Sequence, residues 1–379
     1  MSINASTVDT DHKLKVLVIS VREFRFQVAN CCIYEFEDLL REVESAELYS
    51  PSEEFDLPRK IYRAAKYLSR SDLVAASVAP FPIEIVLDQE YDLLFAVLDN
   101  PWQMHILESV KGWRDKCRKK ACFIAEMWMP DLNDWRLIQE PWNDFDRVFL
   151  GVTLCVEGLN QLVKPPVSYI PPAVDTLRFS PYPNPPQRSI DVSYVGRRSP
   201  IIHDALLAKA SEGNFFYYYD TVKGKLEIGN AREHRQLLAK IFQRSRYNIT
   251  NYAKFNEQAE TGGTQEIGYR FFEGAAAGTV MIGMPPAGDA FPRYFDWEDA
   301  IVKVDFSGTD VLDAIAELDA QPERLARISK TNVANSLLKH DWIYRWRDML
   351  SALDLKPSSA MIAREQYLQE LAQSILAQV

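Results

Sequence analysis

No phosphate-binding signature of a common kind occurs in this chain. It has no GxGxxG, no GxxxxGK[ST] and no GxSxG, so dehydrogenase, P-loop kinase and hydrolase readings lose their usual anchors. Metal signatures are missing too. His105, His203, His234 and His340 are scattered, without HExxH or a paired His/Cys spacing, and each reads as structural. The five cysteines are odd in number, and Cys31 and Cys32 are neighbours that do not pair with each other. That usage predicts reduced thiols and a cytoplasmic setting. Positive charge is in the minority, 43 Lys and Arg against 53 Asp and Glu, for a net charge of −10. Such a balance argues against a nucleic-acid partner. The only basic block, residues 116–120, is expected to close a helix, where the dipole favours cations. No stretch approaches the length needed to span a bilayer. Residues 1–12 lack the apolar run of a signal peptide. Short repeats and low-complexity tracts are absent.

What is present is a long alternation. The chain has 379 residues and is 47% apolar, enough for two domains with sizeable cores. Strands are expected at 15–20, 91–98, 121–125, 147–150 and 167–170, with helices at 27–43, 102–119 and 152–163. A proline-dense break follows, from Pro171-Pro172 to Pro185-Pro186, and reads as a linker. The alternation then restarts, with strands at 190–195, 215–219, 247–250, 279–282 and 300–304 and helices at 201–210 and 231–242. Beyond residue 311 the chain reads as mostly helical, ending in a helix near 360–377. The expectation is an α/β protein of two Rossmann-like domains facing each other across a cleft, with ligand at the carboxyl ends of the strands. The domains are placed at 1–170 and 171–345, with C-terminal helices at 346–379 that either cross back to the first domain or lie free against a membrane or partner.

The densest segment is 265–278, QEIGYRFFEGAAAG. Read as one helix, it puts Glu266, Arg270, Glu273 and Ala277 on one narrow face, with apolar residues and glycine elsewhere. Buried charge is costly unless paired or used. The stripe is therefore either a set of internal ion pairs or the wall of a polar cleft. The loop Thr261-Gly262-Gly263-Thr264 is expected to open this helix as an anion site. Gly196-Arg197-Arg198, after the 190–195 strand, offers a close backbone approach and a phosphate-pairing guanidinium; the alternative is a surface loop with two solvated arginines. Glu273 has the acceptor sites to take both hydroxyls of a ribose. Arg270 and Arg197 would offset a diphosphate, as its departure requires. Asp99-Asn100-Pro101-Trp102 is placed for cleft polar groups or for helix capping.

These residues resemble the retaining glycosyltransferases of the two-domain GT-B fold. Residues 169–181, YIPPAVDTLRFSP, resemble the family's P-x-G-V-D-x-x-x-F-x-P at the domain boundary. Val195-Gly196-Arg197 resembles its V-G-R phosphate loop, and residues 269–278, YRFFEGAAAG, its R-x-F-E-x-x-A-x-G, closest to the CgeB-like branch. His340 with Asp341-Trp342 and Arg345 resembles that branch's H-T-W-x-x-R. The match spans most of residues 148–350; the N-terminal half matches by pattern only.

The resemblance implies a UDP-, GDP- or TDP-sugar donor held mainly by the C-terminal domain, an acceptor against the N-terminal domain, retention of configuration, and no metal or other cofactor. Glu273 would bind the ribose, and its removal would weaken nucleotide binding with little change in fold. Gly196, Arg197, Gly268, Tyr269 and Arg270 would surround the diphosphate. Gln265 stands where the family's earlier glutamate stands, eight residues before Glu273. His203 occupies the region that usually supplies a phosphate-site lysine. The loop after the first strand, 20–24, has no glycine, and Glu126-Met127-Trp128 replaces a sugar-contacting histidine. Glu126 and Asp99 are the candidate catalytic-cleft residues. Base selectivity falls to the backbone near 216–222 and 250–255. A nucleotide-sugar epimerase and a catalytically degenerate binding protein are the rival readings.

Overall fold

The computed structural model describes residues 14–53, 55–70, 74, 78, 81–131, 142–221 and 226–377. Residues 1–12 and Val222, on which two of the expectations above rest, lie outside them. Short apolar runs between helices become parallel strands. Six of them, β1 (Val16–Ile19), β2 (Glu47–Tyr49), β4 (Tyr91–Leu98), β6 (Cys117–Ile124), β7 (Arg147–Leu150) and β8 (Val167–Tyr169), form one sheet in the order β2-β1-β4-β6-β7-β8. Its register runs from Tyr91 opposite Cys117 to Leu98 opposite Ile124. Leu93 to Leu98 are fully buried, as strands covered on both faces must be. The small pair β3 (Ile85–Val86) and β5 (Val110–Lys111) stands apart. The second sheet holds β9 (Ile190–Tyr194), β10 (Tyr217–Tyr219), β11 (Ser245–Ile249), β12 (Val280–Gly283) and β13 (Val302–Lys303) in the order β10-β9-β11-β12-β13, again parallel. Each sheet reverses its direction of growth once, between β1 and β4 and between β9 and β11. Ligand crevices open beyond the strand ends at such points.

Three expectations give way. Residues 102–119 are not one helix. A 3-10 segment Pro101–Ser109, capped by Asn100, leads into β5, a turn at Gly112 with φ +92°, a short helix Trp113–Lys116, and then β6. The basic block therefore begins a strand, since pairing with β4 outweighs a helical period, and Lys120 N donates to Asp146 at 2.8 Å. Residues 265–278 are helical only over Tyr269–Ala276. Ahead of it the backbone is tied elsewhere: Ala253 N donates to the Glu266 carbonyl at 2.9 Å. Gln265, Glu266 and the Gly262-Gly263 turn thus lie outside the helix, and the turn does not open it. The proline-dense break is an ordered crossover, with Ala173, Val174 and Phe179 buried.

The chain crosses between the sheets a second time near His340, and the two crossings are joined. Val174 N donates to the His340 carbonyl (3.1 Å) and Trp342 N to the Val174 carbonyl (3.2 Å). Asp341 accepts from Thr176 N (3.0 Å), Thr176 Oγ1 (2.7 Å) and Arg364. Arg345 donates to the Pro171 and Pro172 carbonyls. The helices Trp342–Ala352 and Ser359–Ala377 then pack on the first sheet's helix Cys31–Glu44. Trp342 stacks on Phe36 at 4.7 Å, and Trp346 Nε1 donates to Glu44 at 3.0 Å. Met361, Leu368, Ala372 and Ile375 are fully buried in that core.

Candidate functional site

The carboxyl ends of both sheets face one cavity of about 200 Å³. From the first sheet come Val28, Ala29 and Cys32, after β1, and Glu126, after β6. From the second come Gly196 and Arg197 after β9, Lys254 after β11, and Gly268, Tyr269, Arg270 and Glu273 from the short helix. Gly196 has φ +90°, a conformation that suits glycine, and its N–H donates to Asp220 at 2.6 Å. Arg197, half exposed at the cavity rim, lies 3.0 Å from Glu257. Seven residues expected at the site, Gly196, Arg197, Gly268, Tyr269, Arg270, Glu273 and Glu126, are thus brought together.

Three are not. Gln265 accepts from Ala287 N at 2.8 Å and does not line the cavity, because the segment carrying it is extended. His203 sits in the helix Pro200–Ser211, with Nδ1 2.7 Å from the Tyr217 hydroxyl and its ring edge-on to Tyr219. Its place on that helix face keeps it out of the cavity lining. Asp99 lies behind the lining, its carbonyl accepting from Glu126 N at 2.8 Å. Burial first, and then the Glu126 charge, push the Asp99 carboxyl above the ordinary range.

The electrostatics centre on two groups that the sequence reading passed over. Arg235, from the helix Ala231–Arg244, is buried and reaches both domains. It donates to Glu35 of the first domain at 2.9 and 3.0 Å, and to Glu273 of the second. Arg270 takes the other oxygen of Glu273. Burial alone would raise the Glu273 carboxyl; Arg270 and Arg235 outweigh it and hold it at about 2. The carboxylate is 1% exposed. A signal existed in the sequence, since Arg235 shares a helical stripe with Leu238, Ala239 and Phe242. Lys254 Nζ lies 2.8 Å from Glu126 of the opposite domain, pairs with Glu260, and sits over the Trp128 ring at 4.9 Å. Burial lowers its pKa, and the Glu126 and Glu260 carboxylates more than reverse that. Its place in the site depends on a loop conformation, φ +51° at Lys254, that no motif announces.

Glu266 does not meet Arg270. Its Oε1 accepts from Thr153 N (2.8 Å), Thr153 Oγ1 (2.9 Å) and Leu154 N (3.2 Å), across the domain boundary. A further tie is a backbone bridge, Val28 N to the Leu226 carbonyl (2.9 Å) and Ile228 N to the Phe26 carbonyl (2.8 Å). A larger groove of about 780 Å³ runs along the other side of the ion chain, where Glu35 faces it with Arg22, Arg41 and Arg232. It lies away from the strand ends that carry the expected site residues, so the smaller cavity is the candidate site.

Comparison with known proteins bears on the fold that holds these residues. Residues 208–351 match the family of glycosyl transferase-like proteins. No curated protein matches the chain. Among solved structures, an alpha-glucosyltransferase in complex with UDP and a 13-mer DNA is similar over 90% of this chain and 100% of its own, at 10% identity and a TM-score of 0.53. An alpha-glucosyltransferase in complex with UDP-glucose and DNA containing an abasic site is similar over 90% and 99%, at 11% identity and 0.51. An alpha,alpha-trehalose-phosphate synthase (UDP-forming) from Burkholderia vietnamiensis is similar over 93% and 99%, at 11% identity and 0.50. The shared feature is the fold: two parallel-sheet domains face each other across a cleft.

Proposed function

We propose that this chain, a glycosyltransferase by its family segment and its GT-B fold, moves a sugar from a nucleotide-diphosphate sugar to an acceptor, with retention of configuration and without a metal. One observation carries the reading. The cavity between the strand ends gathers Arg197, Lys254 and Arg270 beside the glycine backbone of Gly196 and Gly268. Cations meeting a leaving diphosphate stabilise the charge that develops as the glycosidic bond breaks.

In this reading the diphosphate lies among those three cations, and Lys254 does the work of the lysine missing near His203. Arg270 is 28% exposed and turns from Glu273 to the diphosphate as donor enters. That frees one Glu273 oxygen for the ribose hydroxyls, while Arg235 keeps the other. Glu126, released by Lys254, faces the transferred sugar and the acceptor hydroxyl. Asp99 supports it from behind, its carboxyl held above the ordinary range by burial and then by the Glu126 charge. The cavity is below the roughly 300–1,000 Å³ usual for ligand sites, so donor entry requires the domains to part and close again.

Calorimetric titration with UDP, GDP and TDP and their sugars tests this. Binding of one nucleotide, weakened at least about 10-fold in Lys254→Ala, is the expected result. No binding by any of them sinks the donor reading. Transfer with inversion, read by proton NMR of the product, would overturn retention.

A further inference from the structure

Asp220, Glu257 and Glu260 have no part in the donor reading, yet each holds a group assigned there to the diphosphate. Asp220 accepts from the Gly196 amide at 2.6 Å. Glu257 lies 3.0 Å from Arg197. Glu260 pairs with Lys254. Phosphate oxygens make the same charge-assisted bonds to amide, guanidinium and ammonium, so these carboxylates take the partners a phosphate needs. The two glutamates share one turn with the lysine. Glu257 N donates to the Lys254 carbonyl at 2.9 Å, and Glu260 N to the Glu257 carbonyl at 3.0 Å. Gly262, two residues on, is packed against the opposite domain, where a Cβ would stand 3.1 Å from Pro130 Cγ. The turn is thereby fixed at the cavity rim beside its cations. The Glu257 and Glu260 side chains are 36% and 51% exposed, so neither pair resists parting strongly.

We propose, given the donor reading, that Glu257 and Glu260 compete with donor phosphates for Arg197 and Lys254, and that this competition favours the sugar nucleotide over the free nucleoside diphosphate. Transfer moves the sugar to the acceptor oxygen and passes that hydroxyl's proton to water. The electron pair of the broken bond stays on the β-phosphate oxygen. Above the second phosphate pKa of about 6, the nucleoside diphosphate left behind carries one more negative charge than the donor that entered. Displaced carboxylates on the adjoining turn repel the more highly charged ligand more strongly. They therefore discriminate against the product and hasten its departure once transfer is complete.

Calorimetric titration of the full chain tests it, at about pH 8 and about 0.15 M salt, with UDP, GDP and TDP and their glucose, galactose and mannose conjugates. The double variant Glu257→Gln, Glu260→Gln is expected to bind the preferred nucleoside diphosphate at least about 3-fold tighter than wild type does. Its sugar conjugate should gain by a smaller factor, and the melting temperature should not change. The pair Glu298→Gln, Glu317→Gln, at side chains 79% and 68% exposed, removes the same charge from the same domain. Screening should leave its nucleotide affinity as in wild type. Four results overturn the inference: no gain for the diphosphate in the first variant while wild type binds it, an equal gain in the second variant, a gain for the sugar conjugate as large as for the diphosphate, or no conjugate bound at all. Binding of no nucleotide by wild type or variant removes the donor reading, and the competition with it.

Discussion

Two ionic clusters join the domains, and they are built to opposite specifications. The inner one, Glu35–Arg235–Glu273, has every side chain 3% exposed or less. The outer one pairs Lys254 with Glu126 and Glu260, whose side chains are 42% and 51% exposed. Separating buried charges leaves each one uncompensated, whereas a half-solvated pair gives up little when it parts. The inner chain therefore favours the closed arrangement of the domains, and the outer pair is freer to exchange its partner for a ligand. Glu273, a carboxylate expected to serve the nucleotide, is a member of the domain junction.

The largest test of that contrast removes Arg235. Arg235→Met takes a partner from two buried carboxylates, leaving Glu35 to Arg178 and Glu273 to Arg270, and should cost about 3–5 kcal/mol in urea denaturation. A loss under about 1 kcal/mol would erase the distinction between the clusters. Acid is the next probe. With its carboxyl held at about 2 against the ordinary 4.5, Glu273 stabilises the fold fully above pH 4.5. That stability, on the order of 3 kcal/mol, is lost as pH falls from 4.5 toward 2. Glu273→Gln should flatten this part of the stability–pH curve and lower stability at pH 7, an outcome opposite to the expectation that its removal changes the fold little. An unchanged acid limb in that variant would show that the pairing with Arg235 and Arg270 does not hold in solution. The smallest effect belongs to the rim. Lys254→Ala should change stability by less than about 1 kcal/mol, even though it is the variant expected to weaken nucleotide binding. A loss like that of Arg235→Met would make Lys254 structural.

The sequence was most legible where burial and period agree. Tyr91–Leu98 and Arg147–Leu150 are apolar on both faces, and the structure places them at those bounds. It was least legible where a nonlocal partner overrides a local pattern. Cys117–Lys119 reads as helix until β4 is there to pair with it. Glu266 fits a helical stripe until the amides of Thr153 and Leu154, 113 and 112 residues away in sequence, claim it. The site followed the same rule. Gly196, Arg197 and Glu273 come from short contiguous motifs, and the structure brings them to one cavity. Lys254 and Arg235 meet them only through loop conformation and helix packing, and His203 was chosen for its position in the chain where a position in space was needed.

The double crossing between the domains has a mechanical consequence. Two chain segments, at Pro171–Thr176 and at His340–Asp341, run side by side and are laced by the Val174–His340 and Thr176–Asp341 hydrogen bonds. A single tether would let one domain swivel, slide and twist on the other. A laced pair resists shear and torsion, because either would stretch one segment against its neighbour, and it leaves one soft coordinate, rotation about the seam. Any opening in the proposed donor cycle would follow that arc and return Glu126 and Lys254 to the same registration.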